Sequence, residues 1–198
     1  MECDLEIVNM VGSGKFDLEI ELSAVAQESM FVENEWIQSV EHSRRSGNRL
    51  NISFTSTGGH GVLAPSGVHV ITGVDSQREL DQSQVALYNA LELIGLLDTN
   101  EPEDVDLEEN FKVRNIVCVA DLGSRINLNA AAIDLGLEFT EYEPEQFPGL
   151  VYRPESYIGT VLLFASGKAV VTGAAELESA RQTLQALEES LSEMVKST

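Results

Sequence analysis

Tyr142-Glu143-Pro144-Glu145-Gln146-Phe147-Pro148-Gly149-Leu150-Val151-Tyr152-Arg153 runs on to Thr160-Val161-Leu162-Leu163-Phe164-Ala165-Ser166-Gly167-Lys168-Ala169-Val170-Val171-Thr172-Gly173. The first stretch reads as a strand, a Phe-Pro-Gly turn and a return strand. The second reads as two strands joined at Ala165-Ser166-Gly167. Alternation puts Thr160, Leu162, Phe164, Val170 and Thr172 on one side, and Val161, Leu163, Ala169 and Val171 on the other. Both sides are apolar, so both need cover. A helix covers one. The other, with a Phe at a turn and Arg153 and Lys168 nearby, suits a flat partner.

The chain repeats itself. Residues 5–11, Leu-Glu-Ile-Val-Asn-Met-Val, align with Phe-Lys-Val-Arg-Asn-Ile-Val at 111–117. Residues 66–73, Ser-Gly-Val-His-Val-Ile-Thr-Gly, align with Ser-Gly-Lys-Ala-Val-Val-Thr-Gly at 166–173. The offset falls from 106 to 100, which places six extra residues of the first repeat between Trp36 and Leu50. Each repeat reads as a strand (4–12 and 111–119), a short helix (22–29 and 127–136), four strands and a long amphipathic helix (76–96 and 176–195). Asn127 or Asn129 is an N-cap and Gly136 a stop. Leu177, Ala180, Leu184, Leu187, Leu191 and Val195 form a core-facing stripe at helical spacing. The expected division is 1–97 as first repeat with an enlarged loop near 37–49, 98–110 as acidic linker, and 111–198 as second repeat.

Glu-Pro-Glu-Gln-Phe-Pro-Gly-Leu-Val-Tyr-Arg (143–153) and Leu-Phe-Ala-Ser-Gly-Lys-x-Val-Val-Thr-Gly (163–173) closely resemble the C-terminal repeat of archaeal TATA-box-binding proteins. The resemblance covers residues 111–195 strongly and 5–97 more weakly. It implies an α+β fold: a saddle-shaped, curved antiparallel sheet of about ten strands, with four helices on the convex face. It also implies a DNA-binding role for Asn9, Val11, Val70 and Thr72 of one half. In the other half that role falls to Asn115, Val117, Phe147, Arg153, Leu162, Phe164, Lys168, Val170 and Thr172. In this family such phenylalanines enter between base steps, and Arg153 and Lys168 match positions that hold phosphate. Glu143 and Glu145 match a surface for a transcription factor B-like partner. The implied function is initiation at A·T-rich (TATA-box) promoters. The other reading is a paralogue that acts mainly through proteins, with weakened or altered DNA binding. A homodimer without DNA is a further expectation, and the expected compartment is the cytoplasm, at the nucleoid.

The residues suit this chemistry. The minor groove of A·T-rich DNA presents acceptors and lacks the guanine amino group. Val, Leu and Thr at alternate positions supply apolar area, and Asn9 and Asn115 supply amide donors. The first repeat departs from the pattern. Ala64 stands opposite Phe164, Ser53 opposite Arg153 and Val68 opposite Lys168, and it has no Phe-Pro-Gly. It has instead Arg44, Arg45 and Arg49, which could hold phosphate in a new way. Trp36 or Phe54 would replace a wedge if the alignment slipped; otherwise both are ordinary sheet packing.

The net charge of −21 opposes DNA, since nucleic-acid binders are normally basic. Two readings fit. One is a salt-adapted proteome, consistent with only four lysines. The other is a protein that avoids DNA and binds a basic partner. Cys3 and Cys118 do not make a disulfide framework. The N-terminus lacks a signal-peptide pattern, and no apolar run is long enough to span a membrane. Gly12-Ser-Gly14-Lys15 fails the phosphate-loop spacing. His42, His60 and His69 lack metal-ligand spacing. No nucleophile–base set appears, so neither catalysis nor a cofactor is expected.

Overall fold

The computed structural model describes residues 4–44, 47–97 and 111–196. The proposed linker at 98–110, and with it Cys3 and Arg45, lies outside the described residues. The chain divides into two compact units, Asn9–Arg114 and Met1–Val8 with Asn115–Thr198. The boundaries therefore fall inside the first strand of each sequence repeat.

The unit Asn9–Arg114 is built on β1 (Glu6–Lys15), β2 (Ile37–Ser43), β3 (Arg49–Phe54), β4 (His60–Leu63) and β5 (Val68–Val74). Its order is β2-β3-β4-β5-β1, with every neighbouring pair antiparallel. The strands carry their apolar residues at alternate positions. Leu50, Ile52, Phe54, Leu63 and Ile71 are fully buried on one face. Leu80, Leu87 and Leu91 of α3 (Gln77–Leu93), a helix that packs on β5 and β2, are buried as well. Ser76 caps α3 by accepting from Glu79 N at 3.4 Å.

The other unit repeats the plan with β6 (Phe111–Asp121), β7 (Thr140–Glu141), β8 (Leu150–Tyr152), β9 (Thr160–Leu163) and β10 (Lys168–Ala174), in the order β6-β10-β9-β8-β7. All of these neighbours are antiparallel too. Val161, Leu163, Ala169 and Val171 are buried against Ala180, Leu184 and Leu187 of α5 (Leu177–Lys196). Ala180, Leu184 and Leu187 of the stripe are thus core, Leu177 and Leu191 are half-buried, and the Val195 side chain lies outside the described residues. Asn127, rather than Asn129, caps α4 (Leu128–Asp134), accepting from the backbone of Asn129 and Ala130. Gly136 follows with φ +90. Cys118 is buried, which pushes its thiol pKa up.

The ten strands and the α+β class agree with the sequence. Two details differ. The expected single helix over 22–29 is two one-turn helices, α1 (Leu22–Val25) and α2 (Ser29–Val32), which makes five helices among the described residues. Glu28 interrupts it: its backbone is extended, at φ −77 and ψ 111, and its carboxylate caps the second turn at Met30 N. The other detail is the enlarged loop at 37–49, most of which is strand. β2 pairs with β3 from Ile37↔Phe54 to Ser43↔Arg49. The six extra residues lengthen a hairpin, where β7 has only two residues.

A three-ring stack closes the core of the unit Asn9–Arg114. His69 lies between Phe16, at a centroid distance of 4.3 Å, and Phe111, at 5.6 Å. It is buried, and its Nε2 is unpartnered among the described residues. Burial lowers its pKa below the ordinary 6.5, opposed in part by the contact of Nδ1 with Gly67 O at 3.3 Å. The unfolded chain therefore binds a proton below about 6.5 that the folded chain resists. Stability should be full above that pH and fall as pH drops toward the lowered folded-state value. His69→Leu should remove this loss. Urea unfolding of parent and variant at pH 7.5 and 5.5 checks it: the parent should lose more stability on acidification than the variant.

Candidate nucleic-acid interface

Each unit has one sheet face without a helix, and its residues are half-exposed where those of the opposite face are buried. The chemistry of that face begins at a β-bulge. Between β1 and β5 the register jumps, Met10 facing Val74 and Gly12 facing Ile71, so Thr72 and Gly73 both oppose Val11. Gly73 adopts φ +81, a left-handed conformation that favours glycine. The bulge turns the Gly73 N–H out of the ladder, and the Asn9 side chain takes it at 2.9 Å. The Thr72 hydroxyl donates to the same Oδ1 at 3.2 Å.

The second unit repeats this atom for atom. Val171 faces Cys118 and Ala174 faces Ile116, so Thr172 and Gly173 (φ +87) oppose Val117. Asn115 Oδ1 accepts from Gly173 N at 2.7 Å and from the Thr172 hydroxyl at 3.3 Å. A backbone N–H can only donate, so the amide atom facing it is oxygen. That fixes each amide, with Oδ1 toward the bulge glycine. Asn9 Nδ2 has no partner among the described residues. Asn115 Nδ2 lies 3.2 Å from the Thr172 hydroxyl.

Cross-strand register aligns the rest of the face, because directly paired residues of antiparallel strands point the same way. In the second unit the row is Glu141–Val151–Leu162–Val170–Val119. Val117, Thr160 and Thr172 flank it. At its end Phe147 (37% exposed) meets the half-buried Phe164 edge-to-face, with centroids 5.9 Å apart. Gly149 makes room for the pair: a Cβ there would stand 2.7 Å from the Phe147 ring.

The cations are less free than the sequence implies. Arg153 follows β8 directly, its N–H donating to Phe139 O at 2.8 Å. Its guanidinium is paired with Glu141 at 3.2 Å, both side chains being mostly exposed. Such a pair contributes about 0–1 kcal/mol, so a stronger anion can displace the carboxylate. Lys168 opens β10 opposite Asp121. It lines a cleft of about 490 Å³ together with Asp4, Glu6, Asp121 and Phe164. Glu143 and Glu145 stand exposed at the turn before Phe147. Gln146 Nε2 donates to the Glu143 carboxylate.

The first unit brings Asn9, Val11, Val70 and Thr72 to its helix-free face. Phe54 is fully buried core, so it is no wedge. Trp36 is half-buried, its N–H held by Asn34 Oδ1 at 2.9 Å. Arg44 and Arg49 are exposed around the turn of the β2–β3 hairpin. Sequence reasoning missed the bulge, the Arg153–Glu141 pair and the polar residues facing out beside Val62. Among the described residues no group of three or more His, Cys, Asp or Glu side chains could hold a metal, and no helix is long and apolar enough to cross a membrane.

The family model described as transcription factor TFIID (or TATA-binding protein, TBP) matches residues 110–194. TATA-box-binding protein C of Halobacterium salinarum is 36% identical over 96% of this chain and 99% of its own length. The TATA-box-binding protein of Archaeoglobus fulgidus is 37% identical over 94% of each chain. The structure of Methanococcus jannaschii TBP superposes with a TM-score of 0.75 at 31% identity, over 96% of this chain and 99% of that one. The bulge-pinned asparagines, the ten-stranded α+β plan and this similarity over nearly the whole length lead to one assignment: the chain belongs to the TATA-box-binding protein family, a family of transcription factors rather than enzymes.

Proposed function

We propose that this protein is a transcription initiation factor that binds A·T-rich (TATA-box) promoter DNA through the minor groove and bends it. The observation that carries this reading is the duplicated Asn–Thr–Gly bulge. It presents an oriented amide on a half-exposed apolar sheet face in each unit. Minor-groove A·T pairs offer acceptors only, which a few fixed donors on an apolar surface match. The site comprises Asn9, Val11, Val70 and Thr72, with Asn115, Val117, Leu162, Val170 and Thr172. The two sequence repeats, 1–97 and 111–198, are its two half-sites.

Phe147 and Phe164 act as the wedge, a device for which TATA-binding proteins are the reference case. Arg153 and Lys168 hold phosphate, Arg153 by exchanging Glu141 for it. Glu143 and Glu145 recruit a transcription factor B-like partner from an exposed turn. A second reading, altered DNA binding with greater reliance on protein partners, is favoured by one feature of the first unit. Ala64 stands there in place of Phe164, and Ser53 in place of Arg153. A gel shift on A·T-rich and G·C-rich duplexes, at low and molar salt, tests the two. Selective retention of the A·T duplex supports initiation-factor binding, and failure to shift either supports the protein-interaction reading.

Two outcomes follow from the geometry. Phe147→Ala and Phe164→Ala should each lower affinity for a TATA duplex and reduce its bend. The bend is read by energy transfer between end-labelled dyes. Unfolding free energy should change by only about 0.5–1.5 kcal/mol for Phe147, the value of an aromatic pair, and somewhat more for the half-buried Phe164. A loss of several kcal/mol would mark a core residue instead.

Salt provides the other outcome. A net charge of −21, with Asp4, Glu6 and Asp121 beside Lys168, repels DNA at low ionic strength. Screening shortens from about 10 Å at 0.1 M to about 3 Å at 1 M. Affinity titrated across that range should stay flat or rise. A steep fall would show that counterion release from phosphate dominates binding.

A further inference from the structure

The two helix-free faces are not chemically alike. In the unit Asn9–Arg114 the row matching Glu141–Val151–Leu162–Val170–Val119 is Glu41–Asn51–Val62–Val70–Ser13. Asn51 stands where Val151 does, and Ser13 where Val119 does. The neighbouring row is Ser39–Ser53–His60–Thr72, with His60 in place of Thr160. Asn51 and His60 are exposed, and Ser13 and Ser53 half-exposed.

These side chains keep hydrogen-bonding capacity in hand. Ser13 Oγ accepts from Arg114 Nε at 2.8 Å, which leaves its O–H and a second lone pair. Ser53 Oγ and His60 Nδ1 are 3.3 Å apart. If the serine donates, its oxygen still accepts and His60 Nε2–H still donates; if the histidine donates, Nε2 accepts instead. Each arrangement leaves an acceptor facing out. Asn51 carries both kinds of atom on one exposed amide, with no bonded partner among the described residues.

A minor groove differs between base pairs chiefly by one group, the guanine 2-amino donor. An apolar row such as Val151–Leu162–Val170–Val119 strips water from that donor and returns nothing, which costs the price of an unsatisfied polar group. A row containing Asn51 Oδ1, Ser13 Oγ and the Ser53–His60 pair can accept from it. We propose, resting on the minor-groove reading above, that this face recognises G·C base pairs through the guanine 2-amino group. The preferred duplex is then asymmetric, A·T on one half-site and G·C-containing on the other. Asn51, Ser13 and His60 are the residues that set this specificity.

Replacing guanine by inosine removes the amino group and leaves the pair's geometry unchanged. The probe is a duplex with a fixed A·T run in one half and G·C pairs scanned through the other, each compared with its inosine version by fluorescence anisotropy. An all-A·T duplex serves as control. At one or two positions inosine should weaken binding about tenfold, equivalent to roughly 1.4 kcal/mol. In a Ser13→Val, Asn51→Val double variant that loss should disappear or reverse. Each comparison is made on one protein, so a change in the variant's stability does not alter its sign. If inosine leaves affinity unchanged or tightens it at every position, the face excludes the amino group and the inference falls, while binding of the all-A·T control keeps the minor-groove reading. If no duplex binds, control included, both fall together.

Discussion

A single hydrogen bond, made twice, organises the candidate interface: a bulge glycine N–H donating to an asparagine Oδ1, at 2.9 Å in one unit and 2.7 Å in the other. The bulge breaks the ladder and would leave a backbone donor without a strand partner. The asparagine of the adjoining strand satisfies it, and in doing so loses its freedom to flip. Oδ1 thus satisfies the bulge, and the same contact fixes where Nδ2, the donor of the proposed recognition, is held. Replacing the asparagine with an apolar residue would orphan the N–H as well as remove the amide, so the folding role and the binding role cannot be tuned separately. The threonine before each bulge glycine adds a second donor to the same oxygen, which restricts the amide further.

Around that fixed point the two units diverge. In the second, valine, leucine and a phenylalanine pair share the face of the amide, and the lack of a Cβ at Gly149 leaves room for the Phe147 ring. In the first, Ala64 stands in the position of Phe164, and the apolar row is interrupted by Asn51 and Ser13. The burial pattern of the opposite face is unchanged, because Leu50, Ile52, Leu63 and Ile71 pack the helix as Leu150, Val161, Leu163 and Val171 do. A strand separates its two faces completely. One face can drift in chemistry while the other retains the core, and this pattern of divergence follows from that independence.

Much of this was legible in the sequence, and the parts that were not share a cause. The alternation at 160–173, the helical stripe from Leu177 and the Asn127 cap depend on neighbours in sequence; the first two are legible there, and the cap is narrowed to Asn127 or Asn129. The bulge depends on register: nothing in Val170-Val171-Thr172-Gly173 tells that Thr172 and Gly173 share one opposite residue. The Arg153–Glu141 pair spans twelve positions across a hairpin, and Lys168 comes to share a cleft with Asp4 and Glu6 through the fold alone. β2 carries no strand signal in the sequence because its own register shift, between Ile37 and Ser39, puts Ile37 and Val40 on the same face and destroys the period of two. Its outward residues, Ser39, Glu41 and Ser43, are polar as well, so no alternating signal remained. The short helix failed for a different reason: Glu28 competes for the backbone as a cap, and a local competition of that kind is hard to weigh from composition.

The negative charge alters which forces can select a DNA sequence. A basic protein gains most of its affinity from phosphates, and that gain is indifferent to sequence. Here Arg153 begins in an ion pair, Lys168 shares its cleft with three carboxylates, and the whole chain carries −21. With phosphate attraction weakened, a larger share of any binding free energy must come from the half-exposed sheet faces themselves. Apolar contact favours grooves without the guanine amino group, and acceptors favour grooves with it. Under those conditions the exchange of Val151 and Val119 for Asn51 and Ser13 is not a minor surface variation. It alters a contribution that a basic relative would find masked by its phosphate contacts, and it does so on a face whose core partner strands are untouched.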